Sequence, residues 1–221
     1  LKNLTLAMFK DLGNTLLNVH CFDNKIVYCN NSEILELADN YDLIGIKEEL
    51  RKPRKTFDNV ISELNDFAIK KYNAINTVFT FLDVVLISTK NFYEINSLMK
   101  KQDILVCPAL QTGGISIFGR KPPNIISSRC FSDPNKTSLL SLFEEAKKKG
   151  LKITYYDSFR AGFDVDIKQD LVLAYKYLKI FSLIHKETYK FLKINLKLTL
   201  KKKNAENNRD LKIVEKGNTK F

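Results

Sequence analysis

Three carboxylates in this 221-residue chain are placed where a divalent cation could be held. Asp164 and Asp166 sit one residue apart in the stretch 157–170, after the alternating Leu151, Ile153 and Tyr155 of a strand pattern and just before a helix pattern. Asp83 appears where the run Asn76-Thr-Val-Phe-Thr-Phe-Leu should end, and that run reads as a central parallel strand. Open α/β sheets bind ligands outside the carboxyl ends of their strands. On a strand, one-residue spacing puts two side chains on one face, so Asp164 and Asp166 could share a cation. A lone acid near the end of a buried strand is costly unless it is paired or bound to a cation, which makes Asp83 informative. A second explanation stands beside the first. Asp166, with Gln169 three residues later, also has the pattern of a helix N-cap and its capping-box partner. Gly113-Gly114 either lets backbone approach a ligand or simply turns the chain.

These positions need elements to hold them. Leu4, Met8, Leu12, Leu16 and Val19 keep one helical face, weakened in the middle by Gly13. A short strand over 25–30, a short helix over 32–38 capped by Ser32, and a strand over 42–46 follow. Phe57, Val60, Ile61, Leu64, Phe67 and Ala68 make an amphipathic helix over 56–72. Residues 92–101 read as a helix, 103–108 as a buried strand, and 115–118 as a strand after the Gly113-Gly114 loop. Leu139, Leu142, Phe143 and Ala146 return to helical spacing, with Gly150 as a stop. Leu171, Ala174, Tyr175, Leu178 and Phe181 form the helix face after Asp170. Strands alternate with helices almost throughout, so the expected fold is α/β, a three-layer sandwich around a mostly parallel sheet.

Composition narrows the class. Apolar residues at 44% and charged residues at 28% are ordinary for a soluble domain, and the length suits one core. The best apolar run, 74–88, is interrupted by Asp83, so no membrane span is expected. Cys21, Cys29, Cys107 and Cys130 form no C-x-x-C pair, and His20 and His185 lie far apart. Reduced thiols in the cytoplasm, without a zinc site, are therefore expected. His20 beside Cys21 would point to opposite faces of a strand and makes a poor nucleophile pair. The net charge of +11 is concentrated late in the chain: from Lys186 onward there are 11 Lys/Arg and 4 Asp/Glu. That segment has few aromatics for stacking on bases, so a solvated, frayed basic tail is expected before an RNA-binding arm. The basic loop 51–55 reads as a solvated link or a phosphate-facing turn.

The two strand ends, taken together, resemble a known family. Phe-Leu-Asp83-Val-Val-Leu-Ile-Ser88 is similar to the Pro-x-Asp-Ile-Pro-Leu-Ile segment of small nucleotidyltransferases. Phe-Asp164-Val-Asp166-Ile-Lys-Gln-Asp170-Leu is similar to their Leu-Asp-x-Asp-Thr-Pro-Glu-Asp-Leu segment. Pro108, the Gly113-Gly114 loop, Arg120-Lys-Pro-Pro123, Ser138 and Glu-Glu-Ala-Lys-Lys-Lys-Gly150 follow in the expected order, and Glu187-Thr-Tyr-Lys-Phe-Leu192 resembles a C-terminal segment. The pattern most resembles the 2-phospho-L-lactate guanylyltransferases, which serve deazaflavin coenzyme (factor 420) synthesis in archaea. The resemblance implies a Rossmann-like nucleotidyltransferase domain over 1–192 with a basic tail over 193–221. It also implies GTP and a small phospho-acid as substrates, and magnesium held by Asp83 and Asp166 with Asp164 in support. Arg160 would neutralise a phosphate, or else serve in a surface ion pair. Gly113, Gly114, Ser116 and Ser138 would line the substrate, although Ser138 also suits a helix N-cap. A homodimer is one open assembly.

The departures are specific. Ile115-Ser116 replaces the family's Thr-Asn after the two glycines, Asp58 replaces an Asn, and Phe81 and Val85 replace two Pro. Asn135 stands in place of a loop Gly. The family's N-terminal strand and its Lys-Thr-Arg nucleotide loop are expected upstream of Leu1, whose neighbourhood already reads as helix interior. Deleting the residues after Leu192 is expected to leave retention on single-stranded nucleic acid unchanged; a clear loss of retention would restore the RNA-arm reading.

Overall fold

The structure, a computed structural model, describes residues 2–111, 113–203 and 211–215. The chain divides into two compact units, one spanning Leu12–Asp164 and the other made from the described residues of 1–11 and 165–221. Helix α1 (Lys2–Leu17) belongs to both.

In the larger unit, β1 (Ile26–Cys29) and β2 (Ile44–Lys47) pair in parallel around α2 (Ser32–Ala38). The cap of α2 is Asn31, whose side chain accepts from Ile34 N at 3.2 Å, and not the expected Ser32. α3 (Phe57–Tyr72) starts with a full capping box between Thr56 and Asn59. Four further strands form a second sheet: β3 (Thr77–Thr80), β4 (Ile104–Pro108), β5 (Ile115–Arg120) and β6 (Ile153–Tyr155), in the order β3-β5-β4-β6. β4 and β6 are parallel, while β5 is antiparallel to both β3 and β4. So β3, β4 and β6 share one direction and β5 alone opposes it. The sheet is mixed where a mostly parallel one was expected, and the reason is the short connection over residues 109–114. A parallel neighbour needs a crossover of about a dozen residues or more. β3 ends the strand order and is half-buried at every position, which corrects its reading as a central strand.

Strand alternation sorts the core into two faces, except at the bulge opposite Cys107 and Pro108, which puts Ile115 and Ile117, two residues apart, on opposite sides. Leu105, Cys107 and Ile117 pack with Phe92, Ile95 and Met99 of α4 (Thr89–Met99), together with Val19, Tyr156 and Ala161. Ile104, Val106, Ile115 and Phe118 pack on the other side with Ile126, Cys130, and Leu142 and Ala146 of α5 (Ser138–Lys148). This is the expected three-layer arrangement. α5 stops at Gly150, which is left-handed at φ 65; Gly150 N donates to Lys147 O and Leu151 N to Ala146 O, a Schellman closure.

Arg120 ends β5 fully inside the unit. Its Nη1 donates to Ile126 O and Ser128 Oγ, both at 3.1 Å, and its guanidinium lies 4.8 Å from the Phe118 ring centroid and 5.2 Å from that of Phe79. Burial pulls its pKa down to about 10, so the group stays charged at neutral pH. It tethers the segment that leads from β5 to α5.

The smaller unit contains α7 (Lys168–Ile180), α8 (Glu187–Asn195), and an antiparallel ladder of β7 (Leu198–Lys202) with β8 (Leu211–Glu215). The region read as a frayed basic tail therefore holds a hairpin. Leu198 and Leu200 alternate with polar neighbours, and Leu200 pairs with Ile213, a period-two signal that the lysines obscured. Tyr175 and Tyr189 stack at 5.1 Å across α7 and α8. The first turn of α8 is held from a distance in sequence: the buried Asp11 carboxylate accepts from Glu187 N and Thr188 N, both at 2.8 Å. It fills the place of an N-cap that Lys186 cannot fill. Among the described residues no helix is long and apolar enough to cross a membrane. Replacing Asp11 with Ala should strand two amide donors and cost about 1–2 kcal/mol in urea unfolding, with Asp11→Asn recovering part of it.

Candidate active site

Because β3, β4 and β6 run the same way, the segments that follow them leave the same edge of the sheet. Asp83 follows β3, the 109–114 loop follows β4, and residues 157–164 follow β6. That edge is where an α/β sheet places ligands.

Asp83 lies half-buried in a turn closed by Val85 N donating to Asp83 O at 2.9 Å. The next four residues, Val84 to Ile87, are all buried. The aliphatic run thus anchors the turn and leaves Asp83 at its margin, as the sequence pattern predicts.

The glycine loop is stitched on both sides. Ala109 N donates to Gly114 O at 3.0 Å and closes the turn, and Leu110 N donates to Gly162 O at 2.8 Å. Leu139 N, in the first turn of α5, donates to Gly113 O at 3.2 Å. Gly113 adopts φ +66, and a Cβ there would meet the Thr137 side chain at 3.1 Å. These bonds bring Gly113, Gly114 and Ser138 together with α6 (Phe159–Gly162), the short helix that carries Arg160. Ser138 is the first residue of α5, and Thr137 stands at the cap position, so the N-cap reading of Ser138 fails. Asp58 Oδ1 accepts from Phe131 N at 3.2 Å and steadies the segment before α5. An acid in the family's Asn position keeps that acceptor.

One expectation fails here. Ser116, read as lining the substrate, is fully buried in β5, and its hydroxyl donates to Cys107 O at 3.1 Å. The sheet uses that hydroxyl, so it is withdrawn from ligand contact. Ile115, which stands in place of the family's Thr, is buried in the α5-side core. β5 is covered on both faces, so neither residue faces a ligand.

The stretch 157–166 also differs from its reading. No strand carries Asp164 and Asp166. Ser158 caps α6 by accepting from Ala161 N at 3.3 Å, and Gly162 then approaches β4 so closely that a Cβ would lie 2.7 Å from Pro108 O. Asp164 is half-buried and Asp166 exposed, on the two sides of the boundary between the units. Asp166 is not the cap of α7 with Gln169 as partner. The helix starts at Lys168, and buried Asp170 accepts from Asp166 N at 3.1 Å and Ile167 N at 2.9 Å. The capping spacing is present one residue later, at Ile167 and Asp170. Asp170, Ser158 and Gly162 are therefore the residues that the sequence reading missed. Asp170 and Ser158 carried short-range signals, whereas Gly162 carried none, since its constraint comes from Pro108.

Charge around the site is acidic. Cys107, on β4 beside it, is pushed up first by burial and further by Asp157 and Asp164. It stays a neutral thiol with no nucleophilic part to play. All four cysteines are free. Among the described residues no three His, Cys, Asp or Glu side chains are arranged to hold a metal. Lys55 of the basic loop is turned inward onto Glu63, which also accepts from Tyr28.

Comparison with known proteins identifies the family and the fold. The profile of the family described as "Guanylyl transferase CofC like" matches residues 1–214. A 2-phospho-L-lactate guanylyltransferase from Methanocaldococcus sp. (strain FS406-22) is 28% identical over 171 residues, covering 77% of this chain and 68% of that one. The enzyme of the same name from Methanocaldococcus fervens is 29% identical over 172 residues, covering 77% and 71%. Among solved structures, a Desulfovibrio desulfuricans G20 protein provisionally assigned as a nucleotide-diphospho-sugar transferase superposes with a TM-score of 0.67. It is 15% identical, and the match covers 87% of this chain and 81% of that one. A cytidylyltransferase from Leptospira borgpetersenii superposes at 0.52 with 16% identity, covering 81% and 83%. These structural likenesses establish the fold as nucleotidyltransferase-type α/β.

Gly113→Ala should cost about 1–2 kcal/mol in urea unfolding because it forces a side chain into left-handed backbone. An unchanged midpoint would mean that the loop relaxes freely.

Proposed function

Because this chain belongs to the guanylyl transferase CofC-like family, we propose that it transfers a guanylyl group from GTP to 2-phospho-L-lactate. A phosphate oxygen of the phospho-acid attacks the α-phosphorus of GTP, a new P–O bond forms, and the bond to pyrophosphate breaks. The observation that carries the reading is the family match over 1–214, joined to Asp83, the glycine loop and Arg160 lying on segments that leave one sheet edge. The substrate follows the names of the relatives. On this reading the chain works in the cytoplasm in synthesis of a deazaflavin coenzyme.

Each side chain has a part. By resemblance to the family's motifs, Asp83 would be a magnesium ligand with Asp164 in support, and Asp166 is carried over as a further candidate ligand. The fit rests on chemistry: all three offer hard oxygen donors, and Asp166 is free of the capping duty that Asp170 performs. Magnesium is commonly held by one or two carboxylates plus substrate phosphates, so a three-residue protein cage is not required. When bound, it neutralises charge on the triphosphate and on the departing pyrophosphate. Arg160 supplies a planar fork to a phosphate. The backbone of Gly113 and Gly114 and the start of α5 at Ser138 offer amide donors to an anion. Ser116 is excluded by its burial.

The test is release of pyrophosphate from GTP, 2-phospho-L-lactate and magnesium by the full chain. Turnover should require the metal, and Asp83→Ala should reduce kcat by on the order of 10³-fold. A folded protein that releases no pyrophosphate with this or any related phospho-acid would sink the reading and leave a relative that keeps the fold without catalysis.

A further inference from the structure

The side chain of Asn91 lies in α4, outside the set of residues given a part in the reaction, and it is buried with all of its amide hydrogen-bonding capacity in use. Its Oδ1 accepts from Ser88 N at 3.0 Å and Ser88 Oγ at 2.7 Å. Its Nδ2 donates to Tyr156 OH at 2.8 Å and Ser158 Oγ at 3.1 Å. Ser88 N can only donate, so the amide has one workable orientation, with Oδ1 toward Ser88 and Nδ2 toward the 156–158 segment. Tyr156 in turn donates to the Glu94 carboxylate, one helical turn along from Asn91.

The three partner residues belong to two segments that are remote in sequence. Ser88 terminates the buried run that anchors the Asp83 turn. Tyr156 is fixed to β4 through Tyr156 N and Val106 O at 2.8 Å, and Ser158 caps α6, the helix of Arg160. Within this unit, Asn91 is thus the side chain whose two ends grip the segments carrying Asp83 and Arg160. We propose that Asn91 is a positioning residue for nucleotidyl transfer: its amide sets the Asp83 turn and the Arg160 helix against each other through Ser88 and Ser158. This rests on the guanylyltransferase reading. Phosphoryl-group chemistry depends mainly on alignment and charge placement, so a small loss of register between a metal-binding carboxylate and a phosphate-binding cation should fall on the chemical step.

Asn91→Asp separates the two ends. A carboxylate still accepts from Ser88 and still suits the third position of a helix, but it has no hydrogen to give Tyr156 or Ser158. The expected result is a fall in kcat of about 10²-fold with KM for GTP within about threefold, the pattern of lost alignment and not of lost substrate binding. Tyr156→Phe should lower kcat in the same direction, and the double variant should fall short of the product of the two effects. Amide hydrogen exchange, which needs no turnover, should quicken in both 84–91 and 157–163. Unchanged kcat in a folded, active Asn91→Asp protein overturns the inference and leaves the guanylyltransferase reading standing. Faster exchange confined to α4 also overturns it. If the unaltered protein shows no turnover while exchange quickens in both segments, the coupling through Asn91 holds and the activity reading is what fails.

Discussion

β4 is covered on both faces, and this constraint orders the larger unit. A strand buried in this way has no polar side to show, so its sequence is Ile-Leu-Val-Cys-Pro and its backbone groups must pair with neighbours on either edge. Polar and charged groups are confined to its ends. The glycine loop, the close approach of Gly162 and the tether of Tyr156 to Val106 all depend on that rigid strand. A site built at its end needs little support of its own, because the loops are fastened to a core that cannot yield without opening cavities.

Backbone groups do much of the fastening. Gly113 O and Gly162 O each accept from a residue in another segment, and Gly114 O accepts from Ala109 N across the loop itself. Apart from Gly113 and Gly162, where a Cβ is strained or blocked, this leaves the loop geometry tolerant of side-chain change and accommodates Ile115-Ser116 beside it. Those two residues serve the sheet, one in the core and one on the Cys107 carbonyl. A substitution that would alter a ligand pocket on an exposed loop is here absorbed by packing.

Carboxylates divide by what they touch. Asp11 and Asp170 are buried acceptors of backbone N–H groups at helix starts, where the partial positive charge of the helix end favours an anion. Asp83 and Asp164 are half-buried, and Asp166 is exposed. The distinction matters because residue type alone does not separate a cap from a ligand. Asp170 relieves Asp166 of the capping role and so removes the structural explanation that competed with metal binding for that residue.

Much of the fold was legible in local pattern. Helical periodicity located α1, α3, α4, α5 and α7 to within a few residues, and apolar runs located β3, β4, β5 and β6, so the place of Asp83 after a strand followed directly. Those signals are properties of neighbouring residues: period, capping type and the need to bury apolar faces. The direction of β5, the hairpin in the basic segment, the inward turn of Ser116, the cap supplied to α8 by Asp11 and the bridge made by Asn91 were not legible. Each depends on hydrogen bonds between groups far apart in the chain, such as Asn91 with Tyr156 or Asp11 with Thr188. Sequence determined which residues could do chemistry and which elements would carry them. Tertiary structure alone decided which of them remain available for it, because a donor or acceptor already satisfied inside the fold has little left to offer a ligand.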